Sequence, residues 1–352
     1  MRFGGEVIEV STFRAQAGDT GFDTEGEDED SDVDHEIDHS GRILRDNVYG
    51  NREEDAFRRD FTANALYYDI ADFSVVDYVG GVADLEARQM RFIGDPETRY
   101  REDPVRMLRA VRLATKLGFT IEPDTRRPIR GLAGLLADVP PARLFEEVLK
   151  LFLSPCALRC FEALVEEGLF EHLFPQTAEC IATDAADREF ISLALANTEK
   201  RIAEDQPVAP FFLFAAFLWP AVRRRWQSLV DKDMPPIPAM TMAGGEVVER
   251  QVTQVAIPRR FSTPMREMWQ IQPRLERRRG KQPLRLLSHP RFRAAYDFLL
   301  LRAAVGEAPQ ELADWWTEFQ ESNQVVRDEM RSNAPTEEGS RRPRRRRRRR
   351  RG

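Results

Sequence analysis

From residue 103 to about residue 323 the apolar positions recur at three- and four-residue intervals, the spacing of amphipathic helices; strand-forming runs are confined to the first hundred residues. The strand candidates are residues 6–14, where Val7, Ile8, Val10, Thr12 and Phe13 cluster, residues 72–79, which end at Gly80-Gly81, and residues 90–93. Residues 53–71 read as a helix with Phe57, Phe61, Ala65 and Tyr68 on one face, and a short helix is expected over 82–88. A strand starting at residue six has no earlier sheet to join, so its partners must come from later in the chain or be absent. Gly94-Asp95-Pro96 is a turn. Asp103 suits an N-cap and Pro104 a first helical position, and this helix should stop near Leu117 at Gly118. Further helices are expected over 126–136, 141–153, 158–167, 188–204, 209–229, 245–254, 263–276, 283–287, 290–306 and 310–323. The fold class is α+β: a head of few strands and helices over 1–93, then an all-α neck over 94–155 and an all-α body over 156–328.

Charge changes this picture at the ends. The net charge of -6 conceals a run at 19–38 with eleven acids and no Lys or Arg, and a run at 341–352 with ten arginines and no acid. Both lack the apolar residues needed to pack, so an acidic loop over 19–40 and an Arg-rich tail over 329–352 are expected to be disordered. The loop holds Asp28-Glu29-Asp30, Asp30-Ser31-Asp32 and Asp32-Val33-Asp34 beside His35 and His39. A two-metal site needs its carboxylates on a rigid strand, so the run reads as a solvated loop and not as a catalytic centre. No apolar run approaches the ~20 residues that cross a bilayer, and residues 1–6 carry no signal-peptide core. Cys156, Cys160 and Cys180 lack a metal-type spacing and read as buried core thiols, which fits a reducing, cytoplasmic setting.

Two constellations could carry chemistry. In Arg58-Arg59-Asp60-Phe61-Thr62-Ala63-Asn64, the expected helix puts Asp60 and Asn64 at i,i+4 on one face, next to two arginines whose planar forks suit phosphate or ribose. In Glu102-Asp103-Pro104-Val105-Arg106-Met107-Leu108-Arg109, Asp103 and Arg106 are i,i+3 neighbours that offer an acceptor and donors for the Watson–Crick edge of a base. Periodicity by itself describes the first as an amphipathic helix with a surface charge cluster and the second as a capped helix with ion pairs.

Together with Asp77-Tyr78-Val79-Gly80-Gly81-Val82-Ala83-Asp84-Leu85, these segments resemble the three ordered motifs of the class II nucleotidyltransferases: RRDFTxNAL, DxxGG…DL and EDxxRxxR. That family contains CCA-adding tRNA enzymes and bacterial poly(A) polymerases. Residues 94–100, 140–147 and 289–297, Trp315-Trp316-Thr317-Glu318-Phe319 and the arginine tail are more similar to the poly(A) polymerase branch. The resemblance implies polynucleotide adenylyl transfer from ATP to RNA 3′ ends, with Mg2+ ions holding the triphosphate and activating the 3′ hydroxyl. It implies a catalytic role for Asp60, and nucleotide binding by Arg58, Arg59, Asn64 and the base-reading pair Asp103 and Arg106, supported by Glu102 and Arg109. Arg277, Arg278, Arg279 and Lys281, with Arg344, Arg345 and Arg346 of the tail, are expected to hold RNA. A monomer is expected. The family's Gly-Gly-x-Val-Arg-Asp phosphate loop and Asp-x-Asp strand precede the segment matched by residues 6–14 and do not occur in this sequence. The head is therefore expected to be partial and the magnesium ligands mostly missing, with no residue assigned to metal. The expected cause is a reading begun at an internal codon of a longer gene, which would leave the chain inactive by itself. The alternatives are a CCA-adding enzyme, which would use CTP as well as ATP, and a non-catalytic RNA-binding relative.

Overall fold

The computed structural model describes residues 2–3, 6–7, 10–14 and 49–335; the expectations of disorder at 19–40 and in the arginine tail, including Arg344, Arg345 and Arg346, fall outside the described residues. Two compact units make up the chain. The first runs to Glu179 and adds Leu195–Val208 and Gln251–Ile257; the second comprises Cys180–Ala194, Ala209–Arg250 and the residues from Pro258 onward. The fold is α+β, with a few short strands followed by helices.

The helix expected over 53–71 is much shorter. It spans Arg52–Arg58, opened by a capping box in which Asn51 and Glu54 each accept the other's backbone N–H, and ends at Arg59 with extended backbone (φ -67, ψ 162). Two distant contacts override the periodicity. Arg99 Nη2 donates to the carbonyls of Arg58 and Arg59 at 3.0 and 3.1 Å, taking acceptors that a longer helix would use. Residues 60–62 then lie against 91–93, where Ile93 N–H donates to Asp60 O at 3.0 Å and Thr62 N–H to Arg91 O at 3.1 Å. A 3-10 turn at Thr62–Asn64 leads into the strand Leu66–Asp69, which pairs antiparallel with Ser74–Asp77 in register Leu66↔Asp77. Of the expected apolar face, Phe61 and Ala65 are fully buried while Phe57, on the short helix, and Tyr68, on the strand, are 47% and 61% exposed, because the four positions no longer share one helix.

The strand expected over 6–14 is also corrected. Among the described residues of this segment Glu6–Val7 is laddered, antiparallel to Arg2–Phe3 (Arg2↔Val7), residues 10–13 lie in no strand, and Arg14 makes an isolated bridge to Tyr49; residues 8–9 fall outside the described residues. The pairing with Arg2–Phe3 supplies a partner that the sequence pattern did not reveal. The strand expected over 90–93 divides. Gln89–Met90 pairs parallel with Thr120–Ile121, and Phe92 bridges to Phe61.

Parallel pairing requires a crossover, and two helices provide it. Pro96–Glu102 starts at the Gly94-Asp95-Pro96 turn, with Asp95 accepting the Thr98 N–H at 2.8 Å. Val105–Leu117 follows and stops at Gly118, whose φ of 68° closes the helix as expected. Asp103 is not the N-cap; Pro104 holds that position, and Asp103 closes the preceding helix while its Oδ1 accepts the Val105 N–H at 3.2 Å. Phe61, Phe92 and Tyr100 form an edge-to-face series at 5.0 and 5.2 Å, worth about 1 kcal/mol per pair beyond burial, and fix the extended piece 60–62 to the crossover.

The helices Pro141–Phe152 and Ala157–Glu166 pack against Val105–Leu117 in the same unit. Cys156 and Cys160 are core thiols with Sγ atoms 3.9 Å apart, and burial pushes Cys160 up to about 12, which keeps it an unreactive thiol at neutral pH. The helix expected over 126–136 is broken around Pro128 into Pro123–Arg126, Ile129–Leu132 and the 3-10 turn Ala133–Asp138. In the second unit Pro210–Val230, Arg259–Leu275, Phe292–Ala304 and Gln310–Glu321 enclose Trp219, Trp269 and Trp316, all fully buried. The helix Pro236–Gln251 begins well before the expected residue 245, and Arg259–Leu275 begins before 263. Phe170–Leu173, Pro175–Ile181 and Gln324–Asn333 were not anticipated, and the last carries ordered chain beyond residue 328. Among the described residues, no helix is long and apolar enough to cross a membrane.

Candidate functional site

Asp60 sits on the extended piece 60–62 and projects toward the first turns of the crossover helix. Arg106 Nε lies 3.1 Å from its Oδ1 and Arg109 Nε 2.8 Å from its Oδ2, with the carboxylate only 13% exposed. Arg106 is fixed on a second side: its Nη1 donates to Glu102 Oε2 at 2.8 Å and to the Arg99 carbonyl at 2.9 Å. That leaves Nη2 as the donor edge of Arg106. Arg99 is buried beneath the cluster, and burial, then the Arg106 charge, pulls its pKa below the usual value. The same crowding lets two carboxylates, Asp60 and Glu102, hold three guanidiniums in place. Charge-assisted pairs of this kind are among the stronger polar contacts a protein makes.

Asp103 and Arg106, neighbours in sequence, do not pair with each other. Asp103 Oδ2 accepts from Arg143 Nη2 at 2.6 Å, a contact supplied by the helix Pro141–Phe152. A second tie between the same helices joins Arg112 to Glu147 at 3.3 Å. Acceptor and donor are thus held independently, each from outside.

The other sequence candidates separate from this cluster. Arg59 turns away from Asp60: its Nε and Nη2 donate to Asp55 Oδ2 at 3.0 and 2.9 Å, and its Nη1 donates to the Asn64 carbonyl at 3.0 Å. Arg58 lies 3.7 Å from Asp55 as well. Asn64 is exposed in the 3-10 turn, so the i,i+4 pairing with Asp60 does not form; the helix it needed ends at Arg58. Asp55, which pattern reading missed, is the hub here and also accepts the Tyr67 hydroxyl at 2.7 Å. Burial opposes its charge, yet the Tyr67 and Arg59 hydrogen bonds outweigh burial and hold it below the usual carboxylate range.

The DxxGG…DL segment turns out to be scaffold. Asp77 accepts four backbone N–H groups, from Val79, Gly80, Gly81 and Val82, at 2.9 to 3.1 Å; burial opposes its charge, and these donors hold its pKa low. Asp84 accepts the Thr62 hydroxyl at 2.7 Å and pairs with Arg91 at 3.0 Å. A Cβ on Gly81 would stand 2.3 Å from the Thr62 carbonyl oxygen, so only glycine lets the turn approach the Asp60 segment.

In the second unit Arg278 pairs with Glu311 at 2.8 Å, and Arg279 donates to the Ser332 carbonyl at 3.0 Å. Arg331 answers with a bond to the Gly280 carbonyl at 2.6 Å, so this loop clasps the helix Gln324–Asn333; Arg277 and Lys281 are exposed on it.

Magnesium chemistry finds no fitting ligand set among the described residues. No three His, Cys, Asp or Glu side chains converge, and both oxygens of Asp60 face guanidiniums, a setting that repels a cation.

Comparison with known proteins places this geometry. Residues 1–91 match the model of the poly A polymerase head domain, 118–181 the probable RNA and SrmB-binding site of polymerase A, and 232–351 the polymerase A arginine-rich C-terminus. The chain is 45% identical over 327 residues to poly(A) polymerase I of Salmonella typhi, covering 92% of this chain and 69% of that protein. It is 40% identical over 353 residues to poly(A) polymerase I of Haemophilus influenzae, covering 98% and 76%. Among solved structures, the Thermotoga maritima CCA-adding enzyme complexed with tRNA shares the fold, with a TM-score of 0.52, 19% identity, and 77% of this chain and 61% of that one covered. The chain belongs to the poly(A) polymerase family of polynucleotide adenylyltransferases.

Proposed function

We propose that this chain reads the adenine of ATP with Arg106 and Asp103 and holds an RNA 3′ end for adenylyl addition. The observation that supports it most is the independent fixing of the two groups: Arg106 by Asp60 and Glu102, Asp103 by Arg143. Adenine presents an amino donor beside a ring-nitrogen acceptor. A carboxylate that accepts and a guanidinium edge that donates match that order, and pre-positioning both means little ordering cost on binding. Guanine and uracil present a ring N–H beside a carbonyl, the reverse order, so the same pair disfavours them. Asp60 serves here as a positioning residue for Arg106 and Arg109. RNA holding is supported by the relatives named above and by the exposed arginines of the second unit. Mg2+, when bound, would supply charge neutralisation of the triphosphate; the residues described here do not hold it, and no step is assigned through it.

Equilibrium binding of the four ribonucleoside triphosphates to the full chain tests this reading. ATP should bind more tightly than GTP and UTP, and Arg106→Ala should erase the preference; equal binding of all four by the unaltered chain would refute it. One observation favours a second reading. Cytosine also presents an amino donor beside a ring-nitrogen acceptor, so CTP fits the same two groups by pattern. ATP and CTP binding with equal affinity would favour the CCA-adding alternative.

A further inference from the structure

We propose that the exposed face of the helix Arg259–Leu275 is a sequence-blind binding site for the RNA sugar–phosphate backbone, built from Arg259, Arg260 and Arg266. The inference rests on the reading above that the chain handles RNA, and it assigns that task to residues outside the loop at 277–281 and outside the arginine tail.

Three observations carry it. The helix is two-sided: Met265, Met268, Trp269, Ile271 and Leu275 are buried, while Arg259, Arg260, Thr263 and Arg266 are exposed at the spacing of one helix face. The arginines are also unmatched. Among the described residues no carboxylate lies within ion-pair distance of Arg259, Arg260 or Arg266, whereas Arg223, Arg225, Arg278 and Arg302 of the same unit each have one. Glu267, the single acid of the helix, is committed to Arg291 at 3.1 Å. Finally, Arg259 and Arg260 occupy the first turn, which holds no acidic residue, at the end where the helix dipole disfavours cations. Among the described residues no carboxylate offsets that cost, and an anionic partner would.

The chemistry selects the partner. Guanidinium forks bind phosphate oxygens in pairs and carry no base preference. A lipid surface would call for apolar side chains to insert, and a protein partner for an apolar anchor. No large hydrophobic residue of this helix is among the exposed ones. Phe261 is half-buried, and the exposed Arg260 has its guanidinium 4.9 Å from that ring's centroid. Seven residues separate Arg259 from Arg266, so the face offers charge over about 10 Å of helix axis.

The test compares the full chain with the Arg259→Ala/Arg260→Ala/Arg266→Ala variant, using labelled oligoadenylate and oligouridylate of about 20 nucleotides over a salt series. If three phosphates are contacted, the slope of log affinity against log salt should become shallower by about 2, and affinity near physiological salt should fall at least about tenfold. Both oligonucleotides should lose the same factor, and a triple lysine variant should recover most of the binding. Circular dichroism matching that of the unaltered chain, with a melting temperature no lower, excludes a folding defect, since all three side chains are exposed. Unchanged affinity and slope in the alanine variant would overturn the proposal, as would a loss confined to oligoadenylate, or arginine-dependent binding to phosphatidylglycerol vesicles without an effect on RNA. If the unaltered chain binds neither oligonucleotide, the underlying reading of RNA handling fails first, and the two failures are distinguished.

Discussion

Around Asp60, guanidiniums are matched to oxygens: Arg106 and Arg109 end on one carboxylate, Arg106 reaches Glu102 as well, and Arg59 is closed by Asp55. Along the helix Arg259–Leu275 the arginines Arg259, Arg260 and Arg266 have no such partner among the described residues. The two regions use the same side chain for opposite ends. Matched arginines lose their freedom before a ligand arrives, so they present few donors in fixed directions and can discriminate one base edge from another. Unmatched arginines keep their mobility and full charge, which suits a polyanion whose sequence is not read.

The comparison breaks most sharply at its centre. Asp60→Ala leaves Arg109 without its counter-charge and Arg106 with Glu102 alone, in a half-buried setting; stability in denaturant titration should fall by about 3 kcal/mol, and the preference for ATP should vanish with it. Gly81→Ala tests whether the scaffold behind Asp60 is as tight as the 2.3 Å approach to Thr62 implies. It should cost roughly 1–3 kcal/mol in a thermal melt, by overpacking and not by loss of charge. Asp55 sharpens the comparison through pH. Its folded pKa lies below the unfolded value of about 3.9, so its contribution is fully present above that pH and is lost as pH falls through the lowered folded value. Asp55→Asn should therefore cost about 1–3 kcal/mol at neutral pH, and acid titrations of the variant should lack the corresponding drop below about pH 4. The smallest effect has the opposite sign. Arg259→Ala/Arg260→Ala removes cations from the wrong end of a helix and should raise stability by about 0.3–1 kcal/mol per residue, read as a slight increase in melting temperature.

Much of the candidate site's local framework was legible in the sequence, because its residues are close in the chain: Glu102, Asp103, Arg106 and Arg109 lie on or just before one helix whose stop at Gly118 was also legible. What the pattern misjudged came from afar. The apolar spacing of residues 53–71 is helical, but Arg99, forty residues on, takes the carbonyls of Arg58 and Arg59, and the chain extends instead. No local rule reveals that contact, nor the Arg143 contact to Asp103. The second region was hidden for a simpler reason. The helix expected over 263–276 left Arg259 and Arg260 outside it and so concealed the face they share with Arg266. The structure tolerates Pro264 because it sits in the second turn, where few intrahelical bonds are lost.

The central claim is that base reading and backbone holding reside in separate sets of arginines, and a paired binding measurement tests it most directly. Triphosphate preference and RNA affinity should be measured for Arg106→Ala and for the triple alanine variant at Arg259, Arg260 and Arg266, under one buffer condition. The account predicts that Arg106→Ala abolishes the preference for ATP over GTP and UTP while RNA affinity stays within about twofold of the unaltered chain, and that the triple variant does the reverse. Loss of both properties together in either variant, with folding intact, would contradict it.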